Sequence, residues 1–171
     1  PDKARILVVD DEISIVEVLK ALLTREGYCV STASDGDEAL EILREEKFDL
    51  LVSDIRMQRM DGITLLRMAR ELQEHLAVVM VTAYATVETA VAAMKNGAFD
   101  YVTKPFKIDE LILTVQRALS YEQALQENET LKENLRTKYH FDNLVGDSES
   151  MLKVYAMIEK VARTDSTILV L

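Results

Sequence analysis

The chain has 171 residues, with 20 Lys and Arg against 30 Asp and Glu and a formal net charge of −10. So acidic a balance argues against a generic nucleic-acid clamp, because phosphate backbones must be met by Lys and Arg, and a hydrophobic content of 49% excludes wholesale disorder. One cysteine, Cys29, cannot staple a secreted fold, no apolar run approaches the ~18 residues of a membrane span, and the first residues do not form a signal segment, so a cytoplasmic protein with no membrane partner is expected.

Short apolar runs alternate with longer amphipathic ones. The runs lie at 6–9, 28–30, 50–52, 76–81 and 101–102. Most are continuously apolar, which marks strands covered on both faces, as in a parallel sheet. Between them the apolar residues recur at helical spacing. Ile13, Val16, Leu19 and Leu23 make the first stripe, stopped by Gly27. Asp35-Gly36-Asp37 introduces a second through Ala39, Leu40, Ile42 and Leu43. Ile63, Leu65, Leu66 and Ala69 make the third; Val87, Val91 and Met94, closed by Asn96-Gly97, the fourth; and Ile108 to Leu119 the fifth. Five βα units in series predict a doubly wound parallel sheet of roughly 120 residues, with a first domain over 1–119.

The fifth helical pattern does not stop there. No Gly or Pro occurs between Ile108 and Thr137, and Tyr121, Ala124, Asn128, Leu131 and Leu135 alternate at heptad a/d spacing. Asn128 falls at an a position, a device that fixes register in parallel dimers. Residues 120–138 therefore read as a dimerising coiled-coil linker, with a solvated helical linker as the plainer alternative. After Lys138 a loop is expected over 141–146, a helix over 148–162 and an apolar strand over 168–171. An apolar strand that completes nothing suggests that 139–171 opens a second α/β domain that continues beyond Leu171.

In a doubly wound sheet, ligands sit beyond the carboxyl ends of the strands. Asp10 and Asp11 follow the first strand, Asp54 the third, Thr82 the fourth and Lys104 the fifth. Each has an ordinary role open to it: Asp11 as a helix cap, Asp54 as a turn opener, Thr82 as a strand end, Lys104 as a solvated loop charge. Their convergence on one rim is harder to explain that way. Three carboxylates so close raise one another's pKa unless cations join them. Oxygen donors with room for water suit Mg²⁺, and Lys104 is a second cation. A carboxylate beside Mg²⁺, an ammonium and a hydroxyl suits phosphoryl transfer to that carboxylate.

The segments "ILVVDDE", "FDLLVSDIRMQRMDGITLL" and "VVMVTAYATVETAVAAMKNGAFDYVTKPF" resemble a bacterial response-regulator receiver domain over residues 3–119, with its landmarks in order. The resemblance implies a flavodoxin-like sheet of order 2-1-3-4-5. It makes Asp54 the phosphoacceptor, fed by a sensor histidine kinase, and Asp10, Asp11, Asp54 and the backbone carbonyl of Arg56 the Mg²⁺ ligands. Thr82 and Tyr101 match the switch pair, Lys104 the phosphate-pairing lysine, and the Lys104-Pro105 bond is expected to be cis. Gln58-Arg59 stands where relatives often carry Pro-Gly, and the bulky Arg56 and Tyr84 are expected to shield an acyl phosphate and slow its hydrolysis.

The tail, "FDNLVGDSESMLKVYAMIEKVARTDSTILVL", resembles the opening of the AAA+ ATPase domain of NtrC-class activators, which work with the sigma-54 form of RNA polymerase. No G-x-x-x-x-G-K-[ST] occurs, so ATP is expected to be used only by a longer protein. Sigma-54 polymerase and DNA would likewise be met through domains missing here. On this reading the fragment is a phosphoacceptor, not an enzyme. Phosphorylation alters receiver dimerisation and, through the linker, controls assembly of the ATPase. Two alternatives stand beside this reading, the first of which shares the site's chemistry. A haloacid-dehalogenase-like phosphohydrolase places its Asp nucleophile after the first strand in a D-x-D pattern, where this chain has Asp10-Asp11. A flavodoxin-like FMN module needs a Ser-, Thr- and Gly-rich loop there. His75 and His140 lack metal-ligand spacing, and Cys29 and the methionines read as buried filler.

Overall fold

The computed structural model describes residues 3–83, 86–138 and 148–161. Its elements run β1 (Arg5–Val9), α1 (Ile13–Arg25), β2 (Cys29–Ala33), α2 (Gly36–Glu45), β3 (Leu50–Asp54), α3 (Gly62–Leu72), β4 (Ala77–Thr82), α4 (Val87–Lys95), β5 (Asp100–Thr103), α5 (Ile108–Lys138) and α6 (Glu149–Val161). The contacts divide the chain into two units, Pro1–Ala124 and Leu125–Leu171. In the second, α6 occupies most of the stretch read as helical, while the loop at 141–146, the strand at 168–171, His140 and Ala162 lie outside the described residues.

In the first unit the five strands are all parallel, in the order β2-β1-β3-β4-β5. β3 and β4 are buried along their whole length, as continuous apolar runs covered on both faces must be. Alternate side chains feed two separate layers. Leu7, Val9, Leu51, Val78 and Met80 pack with Leu40, Leu43, Leu65 and Leu66 of α2 and α3. Ile6, Val8, Leu50, Val52, Val79, Val81 and Val102 pack with Leu19 and Leu23 of α1 and Leu111 and Val115 of α5.

Local chemistry sets the element ends. Asp35 and Asp61 cap α2 and α3 by accepting the Glu38 and Thr64 N–H groups at 2.9 and 2.8 Å. α4 opens with a reciprocal Thr86–Thr89 capping box. Gly27 and Gly97 adopt φ of 97° and 92° after α1 and α4, which is why chain reversal there falls to glycine. α5 runs unbroken from Ile108 to Lys138.

Two expectations are corrected. Cys29 is exposed, not buried, because it opens β2, an edge strand whose first residue lies at the margin of the sheet. Met57 and Met80 are core residues as expected, but Met94 and Met157 are exposed on α4 and α6.

Candidate functional site

The sheet order reverses between β1 and β3: from β1 the chain goes outward to β2, then returns across to β3. The loops leaving β1 and β3 therefore splay apart and leave a crevice at their carboxyl ends. Asp10 and Asp54 stand at its mouth, almost fully buried, with Asp11 exposed beside them. One oxygen from each of the three lies within 4.8 Å of the others.

Lys104 reaches the same point because its backbone N–H donates to the Thr82 carbonyl at 2.8 Å, carrying the β4–β5 ladder one step past Thr103. Its Nζ donates to Asp10 Oδ2 at 2.6 Å and to Asp54 Oδ2 at 2.7 Å, with Glu12 at 3.7 Å, and only 8% of the side chain is exposed. The solvated-loop reading of Lys104 therefore fails. The other oxygens of the two aspartates accept main-chain N–H groups, Glu12 to Asp10 at 2.9 Å and Arg56 to Asp54 at 3.0 Å. Each carboxylate is thus aimed by its own loop and tied to one ammonium. Asp11 does not cap α1; the cap position belongs to Glu12, which makes no side-chain capping bond. Glu12 is a further neighbour of the site, and its place in the Asp-Asp-Glu run is the sequence signal for it.

Burial pushes the Asp10 carboxyl above its ordinary value; Lys104 and the Glu12 N–H oppose the shift without cancelling it, and the Asp54 charge adds to it. Burial would by itself lower Lys104, but its hydrogen bonds to Asp10 and Asp54 outweigh this and hold the ammonium above the usual lysine value. Among the described residues the Lys104 ammonium is shared by Asp10 and Asp54, and Asp11 completes the acidic cluster. Its all-oxygen donors, one of them on the exposed Asp11, fit a hard divalent cation that keeps part of its water shell.

The acceptor loop is tightly built. Gly62 N–H donates to the Ile55 carbonyl at 2.9 Å, and a Cβ on Gly62 would stand 2.0 Å from the Asp54 carbonyl oxygen. At the unusual Gln58-Arg59 pair, Arg59 reaches the Asp35 carboxylate at 3.2 Å, so the loop is tied to the start of α2. Arg56 contributes its N–H to Asp54, and Tyr84 lies outside the described residues.

Thr82 is fully buried at the end of β4, on the same face as Met80. Tyr101 is 36% exposed and stands opposite Met80 on β5, back from the rim. Of the linker residues, Tyr121, Ala124, Asn128 and Leu131 are exposed on α5, and Leu135 is helical with its side chain outside the described residues. Tyr121 also packs on Phe99, ring centroids 5.6 Å apart, so the first residue of the seam touches its own receiver. Among the described residues no helix is long and apolar enough to cross a membrane.

A family model for the response regulator receiver domain matches residues 6–116. The transcriptional regulatory protein ZraR of Klebsiella oxytoca is 41% identical over 169 residues, which is 99% of this chain and 37% of that protein. The crystal structure of NtrX from Brucella abortus superposes with a TM-score of 0.74 at 39% identity, covering 98% of this chain and 36% of that one. A CheY-like receiver domain from Methanospirillum hungatei JF-1 gives 0.70 at 33% identity, covering 72% of this chain and 98% of that one. The chain thus spans about a third of the length of the curated relatives, which include AtoC and NtrC regulators. The parallel sheet of order 2-1-3-4-5, the acidic crevice and these likenesses agree: the chain belongs to the response regulator receiver family, a phosphoacceptor signalling module and not a classical enzyme.

Proposed function

We propose that Asp54 accepts a phosphoryl group from a phosphohistidine of a sensor kinase. The P–N bond to the imidazole breaks, a P–O bond forms to an Asp54 carboxylate oxygen, and the departing nitrogen keeps its electron pair and takes a proton from solvent. The observation that carries this reading is the Lys104 ammonium bridging Asp10 and Asp54 at 2.6 and 2.7 Å. A fixed cation against the acceptor neutralises charge on the incoming phosphoryl oxygens without reorganisation during the reaction. Mg²⁺, held by Asp10, Asp11, Asp54 and the Arg56 backbone carbonyl, would supply the further positive charge this step needs.

Once formed, the phosphoryl group offers new acceptors near the end of β4. Thr82 is the hydroxyl placed to turn toward them, and Tyr101, on the same face of the neighbouring strand, follows into the space vacated. α4 is the element suited to respond. Among its residues only Ala93 is buried, whereas α1 buries three and α2 and α3 four each. A helix so lightly held shifts at small cost, which is what a two-state bias requires.

The longer protein is read as a cytoplasmic sigma-54 activator. Its receivers and the seam through Tyr121, Ala124, Asn128, Leu131 and Leu135 form a homodimer, and phosphorylation controls assembly of an AAA+ ATPase whose ATP site, polymerase contacts and DNA contacts lie in segments beyond this chain. The domain limits proposed are 1–119, 120–138 and 139–171. The testing experiment is incubation with a small-molecule phosphodonor and Mg²⁺, followed by intact-mass measurement. Wild type gains one phosphoryl group and Asp54→Ala gains none; equal labelling of both refutes the assignment. Sedimentation of the same samples tests the coupling to assembly.

A further inference from the structure

At the end of the sheet opposite the acidic crevice, Arg70 of α3 gathers three parts of the receiver. Its guanidinium donates to the Leu76 and Glu74 carbonyls before β4, each at 3.3 Å, and to the Gly97 carbonyl in the α4–β5 turn at 3.5 Å. It also faces the Glu122 carboxylate on α5 at 3.5 Å. Glu122 has only 9% of its side chain exposed, an unusual position for a carboxylate beyond the last core turn of a helix. Removing its partner would leave a buried charge uncompensated.

Beside this pair, Phe99 at the other end of the same turn packs on Tyr121, and the Arg117 guanidinium lies 5.9 Å from the Phe99 ring centroid. The turn itself is shaped around Arg70. Gly97 has φ of 92°, and a Cβ there would stand 3.2 Å from Arg70 Cδ. All of these residues belong to the first unit, which ends at Ala124.

We propose that Arg70, Gly97, Phe99, Tyr121 and Glu122 form a clamp that ties the root of the long helix α5 to the α4–β5 turn, and that phosphorylation loosens it. Gly97 and Phe99 connect the lightly held α4 to β5, the strand that carries Tyr101. A shift of α4 against β5 displaces both anchor points together. Glu122 then loses the geometry that compensates its charge, and the helix root opens to water. This coupling rests on the phosphoacceptor reading, whereas the clamp itself does not.

The test uses the 171-residue chain as wild type, Glu122→Gln, Arg70→Met and the reversed pair Arg70→Glu with Glu122→Arg. Amide hydrogen exchange is followed on peptides spanning residues 117–126, before and after the phosphodonor and Mg²⁺, with intact mass read on the same samples. In wild type, phosphorylation raises exchange at these residues by about tenfold, the factor that 1.4 kcal/mol of lost protection gives. Glu122→Gln and Arg70→Met exchange at the raised rate from the start, no longer respond to the phosphodonor, and still gain the phosphoryl mass. The reversed pair regains protection, which separates a clamp from a general loss of fold. Unchanged exchange in fully phosphorylated wild type overturns the coupling, and wild-type protection in Glu122→Gln overturns the clamp. Absence of any mass gain sinks the phosphoacceptor reading instead, a distinct result that removes the coupling and leaves the clamp to be judged by the variants.

Discussion

Replacing Lys104 with Met removes the cation while keeping much of the side chain's bulk. Two contacts are lost, at 2.6 and 2.7 Å, each worth roughly 6 kcal/mol as bare attraction at an effective dielectric of 20. Against that stands the cost of desolvating the ammonium, several kcal/mol per ion, and breaking a buried pair from one side usually costs about 3–5 kcal/mol. Because the exposed Asp11 leaves one side of the cluster to water, the lower end, about 3 kcal/mol, is expected for the metal-free protein. For a domain of this size that is roughly a 10–15 °C fall in Tm. The loss also depends on pH, with a definite sign. Asp10 already sits above its ordinary value, and without Lys104 it rises further, so the folded state holds its proton to higher pH than the unfolded chain does. Such a group leaves stability intact in acid and erodes it as pH rises through the folded value. The deficit is therefore full once pH exceeds the folded value, and it narrows as pH falls from neutral into acid toward the ordinary carboxylate value. Mg²⁺ should raise the Tm of the variant more than that of wild type, since it compensates carboxylates that have lost the Lys104 ammonium. Thermal unfolding followed by circular dichroism, in chelator and in Mg²⁺ at neutral and at acid pH, reads all three effects. A neutral-pH deficit below about 2 °C, or one that does not narrow in acid, refutes the reasoning.

Three further substitutions test how the scaffold holds the site. Gln73 is buried and stitches α2 to β3, its Nε2 donating to the Leu43 and Glu46 carbonyls at 2.7 Å and its Oε1 accepting the Phe48 N–H at 3.0 Å. Gln73→Leu strands three backbone groups and should lower stability by about 3 kcal/mol in urea titration, with phosphoryl uptake at Asp54 unchanged well below the transition. Gly62→Ala places a methyl 2.0 Å from the Asp54 carbonyl oxygen, so the backbone behind the acceptor must move. It should cost more than about 3 kcal/mol by the same titration and slow phosphorylation of whatever remains folded. Thr86→Ala removes the hydroxyl that accepts the Thr89 N–H at 3.2 Å and should cost about 1 kcal/mol, seen as faster amide exchange confined to α4. Exchange spreading into β4 would show α4 to be better anchored than its single buried residue implies.

The fold and most of the site were open to reading from the order of residues, for a physical reason. Parallel strands covered on both faces need continuous apolar runs, and a doubly wound sheet puts whatever follows each strand on one rim. Asp10, Asp54, Thr82 and Lys104 each follow a run, so their convergence comes from chain order, and the helical stripe after Ile108 with no Gly or Pro already implied the unbroken α5. What chain order leaves open is which groups end up buried and against what. Lys104 is a loop lysine in sequence and a nearly buried bridge in space, because the β4–β5 ladder delivers it to two carboxylates 94 and 50 residues away. Cys29 sits in an apolar run yet is exposed, because only strand order makes β2 an edge. Glu122 looks like one more solvated charge on an acidic helix until Arg70, 52 positions earlier in the numbering of a different helix, closes over it. Pattern along the chain fixes which face of an element is apolar; the burial of a single charge depends on partners that only packing brings into range.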